Sequence, residues 1–395
     1  MKKSEYLYLD HAATTPMREI AIKAFIDAEH EGFANSSGGH NLSRKAKNIL
    51  EESREIISSI FEVAPNEIIF TSGGTEADNW SIKSLFNKGI ESNSNLVTSS
   101  IEHEAVLASA EWIKDNDFLV TFAECLNTGE LDKNSFLNAV NENTIVASAM
   151  WANNETGIIQ PIKELTKEVK KINSNTLFHS DVVQAVVSAK LNFHSEGIQS
   201  AAISAHKVGG PKGVGAMFIS NEFKLPSMLH GGKQELERRA GTVNVAGVAS
   251  FAAALQEQQN NFDDEISIMM NEKSEFEEIV KNNFKVKIIG ENEKRLAHIS
   301  NIQFEKVNSE VLMVDLDLNG LCVSRGSACA SGAQKPSHVL EAMGIKKEYI
   351  NNHLRFSFGW STGLGEGKKA AQILLNSLEK MKNDWLILVI FNLKK

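Results

Sequence analysis

Cysteine is scarce in this sequence: Cys125, Cys322 and Cys329 are the three among 395 residues. Three thiols are too few for a fold held by disulfides and fit a reducing cytoplasm, which is the predicted location. No run of 18 apolar residues occurs, so no segment is expected to span a membrane. The N-terminal MKKSEYLYLDHAATT carries two lysines but lacks the apolar core of a signal peptide.

Excess positive charge is also missing. The net charge is −9 and no block of Lys and Arg offsets it, which argues against a nucleic-acid partner. Apolar residues, in contrast, are plentiful, at 42% of the chain. A chain of this length and composition can bury a large core and is expected to form two domains.

Strand-like apolar runs alternate with helical patterns through the first two-thirds of the chain. That alternation predicts an α/β fold with a mostly parallel sheet covered by helices on both faces. Further on, the pattern predicts one long amphipathic helix from Val245 to about Asn282. The final apolar run, Trp385 to Phe391, is too short to cross a bilayer. Its β-branched residues predict an added strand, a contact surface or an aggregation-prone segment.

Two charged residues within the stretch 178–215 indicate a cofactor site. Asp181 follows an apolar strand, and Lys207 closes the later SAHK, just before GGPKGVG. An acid that pairs with a pyridinium nitrogen and a lysine whose amine binds an aldehyde are what pyridoxal phosphate needs. Taken singly, either residue could equally be a solvated surface charge. The glycine-rich loop favours the cofactor site, because its backbone can approach a ligand closely.

HSDVVQ followed by SAHKVGGPKGVG resembles the cysteine desulfurases of the class V aminotransferase superfamily. The likeness runs from YLDHAATT near the start to RFSFGWST near the end, through several motifs in the same order. It implies a pyridoxal-phosphate-dependent transferase fold, like that of aspartate aminotransferase. It also implies a homodimer, a large cofactor-binding domain over 13–255, and a smaller α+β domain over 1–12 and 256–395 that carries a catalytic cysteine.

The resemblance also assigns the surroundings of the cofactor. Lys207 would bind the cofactor aldehyde, Asp181 would pair with the ring nitrogen, and His103, from the IEH motif, would lie over the ring and move protons. Gln184 and Asn154 would face the hydroxyl side of the ring. The residues expected at the phosphate are Gly74, Thr75, Ser204, His206 and, from the neighbouring subunit, Thr242.

Several of these motifs also have a plain structural interpretation. The Gly73-Gly74 pair could form only a tight strand-to-helix turn, although amides at such a helix start bind anions. His103 could cap a helix, and Asn154 could lie in an Asx turn. The arginines of ERRAGT could bind an anion or form a surface ion pair. The loop FANSSGGHN departs from the family's GNPSS pattern by lacking its proline.

The predicted reaction depends on Cys329 in the small-residue loop SRGSACASG. The resemblance implies that this thiol attacks the sulfur of L-cysteine, which leaves a persulfide on Cys329 and releases L-alanine. Arg325 and the loop amides could favour the thiolate. Without the resemblance, a buried inert thiol would be an equally good interpretation. Arg355 is expected to pair with the substrate carboxylate, and Asn35 and Ala13 to lie near the substrate.

The implied partner is a sulfur-acceptor protein, either an iron–sulfur scaffold or a tRNA-thiolation enzyme. The same scaffold serves two other functions: a selenocysteine lyase or cysteine sulfinate desulfinase, and a catalytically silent binding partner in a sulfur-transfer complex. Lys207 and Cys329 are both present, which argues against the silent form. An ordinary aminotransferase would leave the loop cysteine without a role.

Overall fold

The structure is a computed structural model that describes residues 6–87, 90–326 and 336–393, with side chains described as far as residue 382. Cys329 therefore lies outside the described residues. The chain divides into two compact units. We call Thr14–Asn153 with Ile159–Phe262 the sheet unit, and Met1–Ala13 with Asn154–Ile158 and Asp263–Lys395 the terminal unit.

The boundaries of these units differ from the predicted division into 13–255 and the remainder. Ala13 belongs to the terminal unit, and the sheet unit extends to Phe262. The segment Asn154–Ile158 also belongs to the terminal unit, because Ile158 forms a β-bridge with Arg295 of that unit. Such a pairing joins residues far apart in the chain and leaves no local pattern.

The strands are short, and we number them along the chain. They are β1 Leu7–Tyr8, β2 Ile68–Thr71, β3 Asn95–Ser99, β4 Leu119–Ala123, β5 Thr144–Ser148, β6 Leu177–Asp181, β7 Ser200–Ser204, β8 Gly215–Ile219, β9 Val286–Ile288, β10 Ile299–Phe304, β11 Leu321–Cys322 and β12 His353–Ser357.

The helices vary from one turn to more than seven. They are α1 Glu19–Glu31, α2 Asn41–Ile60, α3 Gly74–Lys83, α4 Glu104–Asp115, α5 Lys133–Ala139, α6 Ile162–Ile172, α7 Ala185–Ser188, α8 Phe193–Glu196, α9 Gln234–Glu237, α10 Val245–Asn260, α11 Phe262–Asn283, α12 Ser309–Leu318, α13 His338–Ala342, α14 Lys347–Ile350 and α15 Glu366–Leu393. Two 3₁₀ turns, Pro65–Glu67 and Ala205–Lys207, precede β2 and follow β7.

The sheet unit is built on a sheet with the strand order β2-β8-β7-β6-β5-β3-β4. β8 is antiparallel to both of its neighbours, and every other neighbouring pair is parallel. β2, β3, β5, β6 and β7 consequently all end at one edge. In sheets of this kind ligands bind outside the carboxyl ends of the strands. The topology confirms the predicted α/β class with a mostly parallel sheet.

Helices cover both faces of this sheet. Neighbouring residues of one strand enter different cores: Ile69 packs with α3 and α4, whereas Phe70 packs with α2, α6 and α10. Leu177 and Phe178 divide in the same way on β6. Because successive strand residues point to opposite faces, strands buried on both sides read as continuous apolar runs. That explains why the sequence pattern predicted them well.

One predicted helix is wrong, and one of the three alternatives given for the C-terminal run is excluded. The single helix expected from Val245 to Asn282 is two helices, α10 and α11, separated at Asn261, whose backbone leaves the helical region at φ −108° and ψ 11°. Acidic residues in the first turn of α11 favour a new helix start there. The apolar C-terminal run forms no added strand, because the backbone of α15 is helical to Leu393.

The terminal unit has its own small sheets and core. β10 is antiparallel to β9 and to β12, and β1 pairs with β11 in parallel. Phe276 of α11, Phe356 of β12 and Leu374 of α15 share one buried cluster. Among the described residues, no helix is both long and apolar enough to cross a membrane.

Candidate cofactor site

A tight glycine turn joins β2 to α3 at the carboxyl edge of the sheet. Gly73 has φ +153°, a conformation that favours glycine, and a Cβ on Gly74 would lie 2.8 Å from Cγ2 of Val183. A Cβ on Gly215 would lie 2.6 Å from Cα of Gly73, so neither Gly74 nor Gly215 has room for a side chain. The amides at the start of α3 lack helical partners and attract anions, and Thr75 is exposed there.

Lys207 and its neighbours follow β7 at the same edge. Ser204 ends the strand and is buried, and its Cβ is 3.8 Å from where a Cβ on Gly74 would be. The half-buried His206 contacts Oγ1 of Thr14 through Nδ1 at 3.1 Å. Burial lowers the pKa of His206 to about 4, and the charges of nearby lysines contribute to a smaller extent. His206 is therefore neutral at pH 7 and can donate a hydrogen bond from one ring nitrogen.

Asp181 ends β6 and is 7% exposed. The backbone N–H of Val183 donates a hydrogen bond to its Oδ1 at 2.9 Å. Burial raises the pKa of Asp181 above its ordinary value, while the charges of His103 and Lys207 act in the opposite direction. A buried acid that two basic groups influence electrostatically can hold the proton of a ligand's ring nitrogen.

His103 is the N-cap residue of α4, so the capping interpretation of this residue is right. Its Nδ1 accepts a hydrogen bond from the N–H of Ala105 at 3.2 Å. In the neutral ring the proton is then on Nε2. One nitrogen or oxygen atom from each of Asp78, His103 and Asp181 lies within 4.8 Å of the other two. The cap thus fixes the tautomer of an imidazole that belongs to the acid cluster.

Sequence reasoning missed three members of this buried cluster: Asp78, Glu102 and His179. Oε1 of Glu102 accepts hydrogen bonds from the hydroxyl of Ser99 at 2.5 Å and from the N–H of Met150 at 2.8 Å. Burial is the main cause that raises the pKa of Glu102 to about 7. The missed signal was the alternation in β6, where His179 and Asp181 are two residues apart and share a face.

The remaining predicted residues of the sheet unit lie in different settings. Gln184 is buried just before α7. Asn35 is exposed, and its Oδ1 accepts from the N–H of Ser37 at 2.9 Å within a local turn. Thr242 is exposed as well.

Arg239, from the ERRAGT motif, forms an ion pair instead of an open anion site. Its Nε lies 2.9 Å from Oε1 of Glu76, and its Nη2 lies 3.1 Å from Oε2 of the same carboxylate. Burial alone would raise the pKa of Glu76, but hydrogen bonds from Arg239 and Ser72 hold that pKa below its ordinary value. Glu76 follows Thr75 directly, so this ion pair ties the ERRAGT segment to the first turn of α3.

Arg355, Asn154 and Ala13 belong to the terminal unit. The guanidinium of Arg355 donates to the carbonyl of Asn154 at 2.9 Å and to Oδ1 of Asp10 at 2.9 Å. Ala13 donates its N–H to the carbonyl of Asp10 at 3.0 Å. Arg355 is 2% exposed, and its Nε has no hydrogen-bond partner among the residues that the structure describes. A buried N–H of this kind calls for an acceptor.

The two described cysteines are free thiols, Cys125 and Cys322. Burial is the main cause that raises the pKa of each thiol above its ordinary value, so both remain protonated at pH 7. Arg325 donates to Oδ1 of Asn351 at 3.0 Å. Its predicted influence on Cys329 concerns a residue outside the described ones and stays a prediction.

The donor set of the sheet unit fits pyridoxal phosphate. Gly74 and Gly215 have no room for a Cβ, and the start of α3 suits a phosphate. Asp181 suits a protonated ring nitrogen, and Lys207, three residues beyond the end of the buried β7 and acting electrostatically on Asp181, suits an aldehyde. These residues come from three separate strand ends or turns, one each for the phosphate, the ring and the aldehyde of the cofactor.

Comparisons with known proteins identify the family. A family model described as Aminotransferase class-V matches residues 7–364. A protein named "Cysteine desulfurase IscS" from Dictyoglomus turgidum is 36% identical over 388 residues, 96% of this chain and 98% of its own.

Solved structures give the same picture. One titled "NIFS-LIKE PROTEIN" has a TM-score of 0.88 at 29% identity and covers 95% of this chain and 99% of its own. Another, "SspA in complex with cysteine", has a TM-score of 0.78 at 28% identity and covers 89% and 98%. Because the family model spans most of the sequence and the relative matches nearly end to end, this chain belongs to the class V aminotransferase family.

Proposed function

We propose that the protein is a cysteine desulfurase, an enzyme that uses pyridoxal phosphate to convert L-cysteine to L-alanine and passes the sulfur on. The observation that carries this proposal is the meeting of Asp181, Lys207, His103 and the glycine turn at one sheet edge. Relatives named cysteine desulfurase, and the likeness to a protein solved in complex with cysteine, support L-cysteine as the substrate.

The residues of the sheet unit would share the work on the cofactor. Bound pyridoxal phosphate supplies an electron sink that makes the α-proton of an amino acid acidic. Lys207 would hold the aldehyde and then take the α-proton at its Nζ. Asp181 would keep a proton on the ring nitrogen, and Nε2 of His103 would move protons above the ring. Amides at the start of α3, with Thr75, Ser204 and His206, would bind the phosphate.

Other residues would handle the substrate. Arg355 would bind the carboxylate of L-cysteine, since its buried Nε lacks an acceptor among the described residues. The thiolate of Cys329 would attack the substrate sulfur: an S–S bond forms, the C–S bond breaks, and the carbon skeleton takes up a proton as L-alanine. Gln184 and Asn154 would face the ring hydroxyl, and Asn35 and Ala13 the substrate.

The finer assignments extend this proposal. The active unit would be a homodimer in which Thr242 of one subunit serves the phosphate of the other. The large and small domains would be those predicted, over 13–255 and over 1–12 with 256–395. The reaction would take place in the cytoplasm, and an iron–sulfur scaffold or a tRNA-thiolation enzyme would accept the sulfur. The comparisons do not favour a selenocysteine lyase, a sulfinate desulfinase or a silent binding partner.

The decisive experiment incubates the purified holoenzyme with L-cysteine and follows two products. We expect L-alanine in solution and a mass gain of one sulfur atom on the peptide that contains Cys329. Cys329→Ala should keep the bound cofactor and release almost no alanine, while Cys125→Ala and Cys322→Ala retain most of the activity. Alanine release at the wild-type rate by Cys329→Ala would overturn the persulfide step and favour a lyase.

A further inference from the structure

A chain of five buried side chains runs behind Asp181 in the sheet unit. Oδ1 of Asp78 lies 3.1 Å from Nε2 of His179, and Nδ1 of His179 lies 3.3 Å from Oγ of Ser200. The Ser200 hydroxyl lies 2.6 Å from that of Ser81, which in turn lies 3.3 Å from Sδ of Met217. All five are buried, on α3, β6, β7 and β8.

The last member of the chain sets the direction of every hydrogen bond in it. The sulfur of Met217 carries no hydrogen, so the Ser81 hydroxyl donates to it. Ser81 has then used its only hydrogen, and Ser200 must donate to Ser81. Ser200 in turn accepts from Nδ1–H of His179. A neutral imidazole with its proton on Nδ1 offers a lone pair at Nε2, so the partner there, Asp78, has to be the donor.

Electrostatics leads to the same protonation state. Asp78 is 1% exposed, and its acidic neighbours are Asp181 and Glu102. Those two acids each accept a backbone N–H, from Val183 and Met150, whereas the hydrogen bond described for Asp78 is with an imidazole. Ionising Asp78 as well as Asp181 would place two negative charges near each other in a buried site, which costs free energy.

The pKa values of the pair support this arrangement. Burial raises the pKa of Asp78 well above its ordinary value, and the charges of Asp181 and Glu102 contribute to a smaller extent. Burial also lowers the pKa of His179 to about 3, so the ring does not take the proton from Asp78. The basic groups near the cluster, His103 and Lys207, are those described for Asp181.

We propose that Asp78 is a positioning residue for Asp181: its carboxyl group stays protonated, donates to Nε2 of His179, and thereby leaves Asp181 as the ionised acid that holds the cofactor ring. The role given to Asp181 rests on the proposed function, but the protonation state of Asp78 rests on the hydrogen-bond chain and the burial of the cluster and does not depend on that function. Asp78 would touch neither cofactor nor substrate and would act through Asp181.

The direct test is infrared spectroscopy of the holoenzyme at pH 8. The difference spectrum between wild type and Asp78→Asn should contain the carbonyl band of a protonated carboxylic acid. Asp115→Asn, on the exposed end of α4, is the matched control and should remove only carboxylate bands. A wild-type spectrum in which Asp78 contributes carboxylate bands, as Asp115 does, would overturn the proposal.

Activity and the cofactor spectrum test the positioning role. Asp78→Ala leaves Nε2 of His179 without a donor, so we expect kcat to fall at least tenfold and the pH midpoint of the cofactor's visible absorption band to move. Asp78→Asn supplies an uncharged N–H donor of the same shape and should recover most of both losses. A result in which Asp78→Asn is as impaired as Asp78→Ala would mean that the carboxylate charge matters, and would overturn the proposal.

A measurement on the wild-type protein covers the case in which a variant fails to fold. With ¹⁵N-labelled histidine, the ring of His179 should show a protonated Nδ1 and an unprotonated Nε2, and the reverse tautomer would overturn the proposal. Neither spectroscopic test involves cysteine turnover. A His179 and Asp78 in the expected states, in an enzyme that makes no alanine, would therefore refute the proposed function and leave only the protonation state assigned to Asp78 standing.

Discussion

Two groups of buried acids in the sheet unit are stabilised in opposite ways. Glu235, 6% exposed, receives both Nη atoms of Arg54 at 2.7 and 2.9 Å and the N–H of Phe70 at 2.8 Å. Asp181 and Asp78, at the carboxyl edge, have imidazoles nearby and no arginine among their described contacts. The first acid is held as a carboxylate by a matching cation. In the second pair, burial raises the pKa of both Asp78 and Asp181.

The Arg54–Glu235 pair is therefore a structural ion pair, whereas the acids at the carboxyl edge are suited to proton transfer. The Arg54–Glu235 pair holds a strained turn, because Glu235, Leu236 and Glu237 all have positive φ between 45° and 65°. Ion pairs of this kind fix geometry. Burial raises the pKa of Asp181 above its ordinary value and that of Glu102 to about 7, which costs stability but is typical of groups that handle protons. Four predictions test this division, in order of decreasing effect.

Lys207→Ala should have the largest effect. Losing the group that binds the aldehyde and takes the α-proton is expected to lower kcat on the order of 10⁴-fold or more. The folded structure should survive, since Lys207 is half-buried at the end of a turn. Alanine release and the visible absorption band measure the loss, and circular dichroism controls for folding. Measurable turnover with an unchanged absorption band would contradict the assignment.

Asp181→Asn should rank second. It keeps the shape and an acceptor for the N–H of Val183 but removes the charge that would hold a proton on the ring nitrogen. Losing a buried charge partner typically costs ~3–5 kcal/mol, so kcat should fall by two to four orders of magnitude. Steady-state kinetics would show the fall in kcat. Near-normal alanine release would place the chemistry elsewhere.

Arg54→Met should act on stability and leave the chemistry alone. It strands the carboxylate of Glu235, which should lower the free energy of unfolding by ~3–5 kcal/mol. Urea denaturation measures the change, and the residual folded enzyme should keep its kcat. Lys233→Ala is the control, because the Lys233–Glu237 pair is exposed and should leave the midpoint unchanged. If Arg54→Met abolishes turnover at full stability, the two regions are not separate.

Glu102→Gln should have the smallest effect, visible only through pH. The folded protein raises the pKa of Glu102 from 4.5 to about 7, so between those pH values it binds a proton that the unfolded chain has released. The free energy of unfolding therefore falls as pH rises across this window, by up to ~3 kcal/mol. Glutamine removes this loss, so the variant should gain stability relative to wild type at pH 7.5 but not at pH 4.5. If urea denaturation gives the same difference in the free energy of unfolding between wild type and Glu102→Gln at both pH values, the raised pKa is refuted.

Much of the fold could be predicted because its signals are local. Strands buried on both faces read as short apolar runs, and the glycine turn and the lysine follow strand ends directly. The break at Asn261 was also readable, since QQNNFDDE combines poor helix formers with acids that suit a new helix start.

The unpredicted features depend on contacts across long stretches of chain. His179 meets Asp78 across 101 residues, and Arg54 meets Glu235 across 181. The turn at Glu235 to Glu237 was hidden for a related reason: non-glycine residues at positive φ are uncommon, and this turn is held by a distant arginine. Only the folded structure brings such partners together.

The N-terminal segment has a consequence for the order of events during synthesis. β1 pairs with β11, and the N–H of Ala12 donates to the hydroxyl of Ser357, 345 residues later. At about 5–20 residues per second, a ribosome needs roughly 20–70 s to make the chain between them. The sheet unit's residues end at Phe262 and can emerge and fold in that interval. The segment from Leu7 to Ala12 is therefore made long before its partners, and a nascent chain stalled before β11 would present this segment, unpaired, to chaperones and proteases.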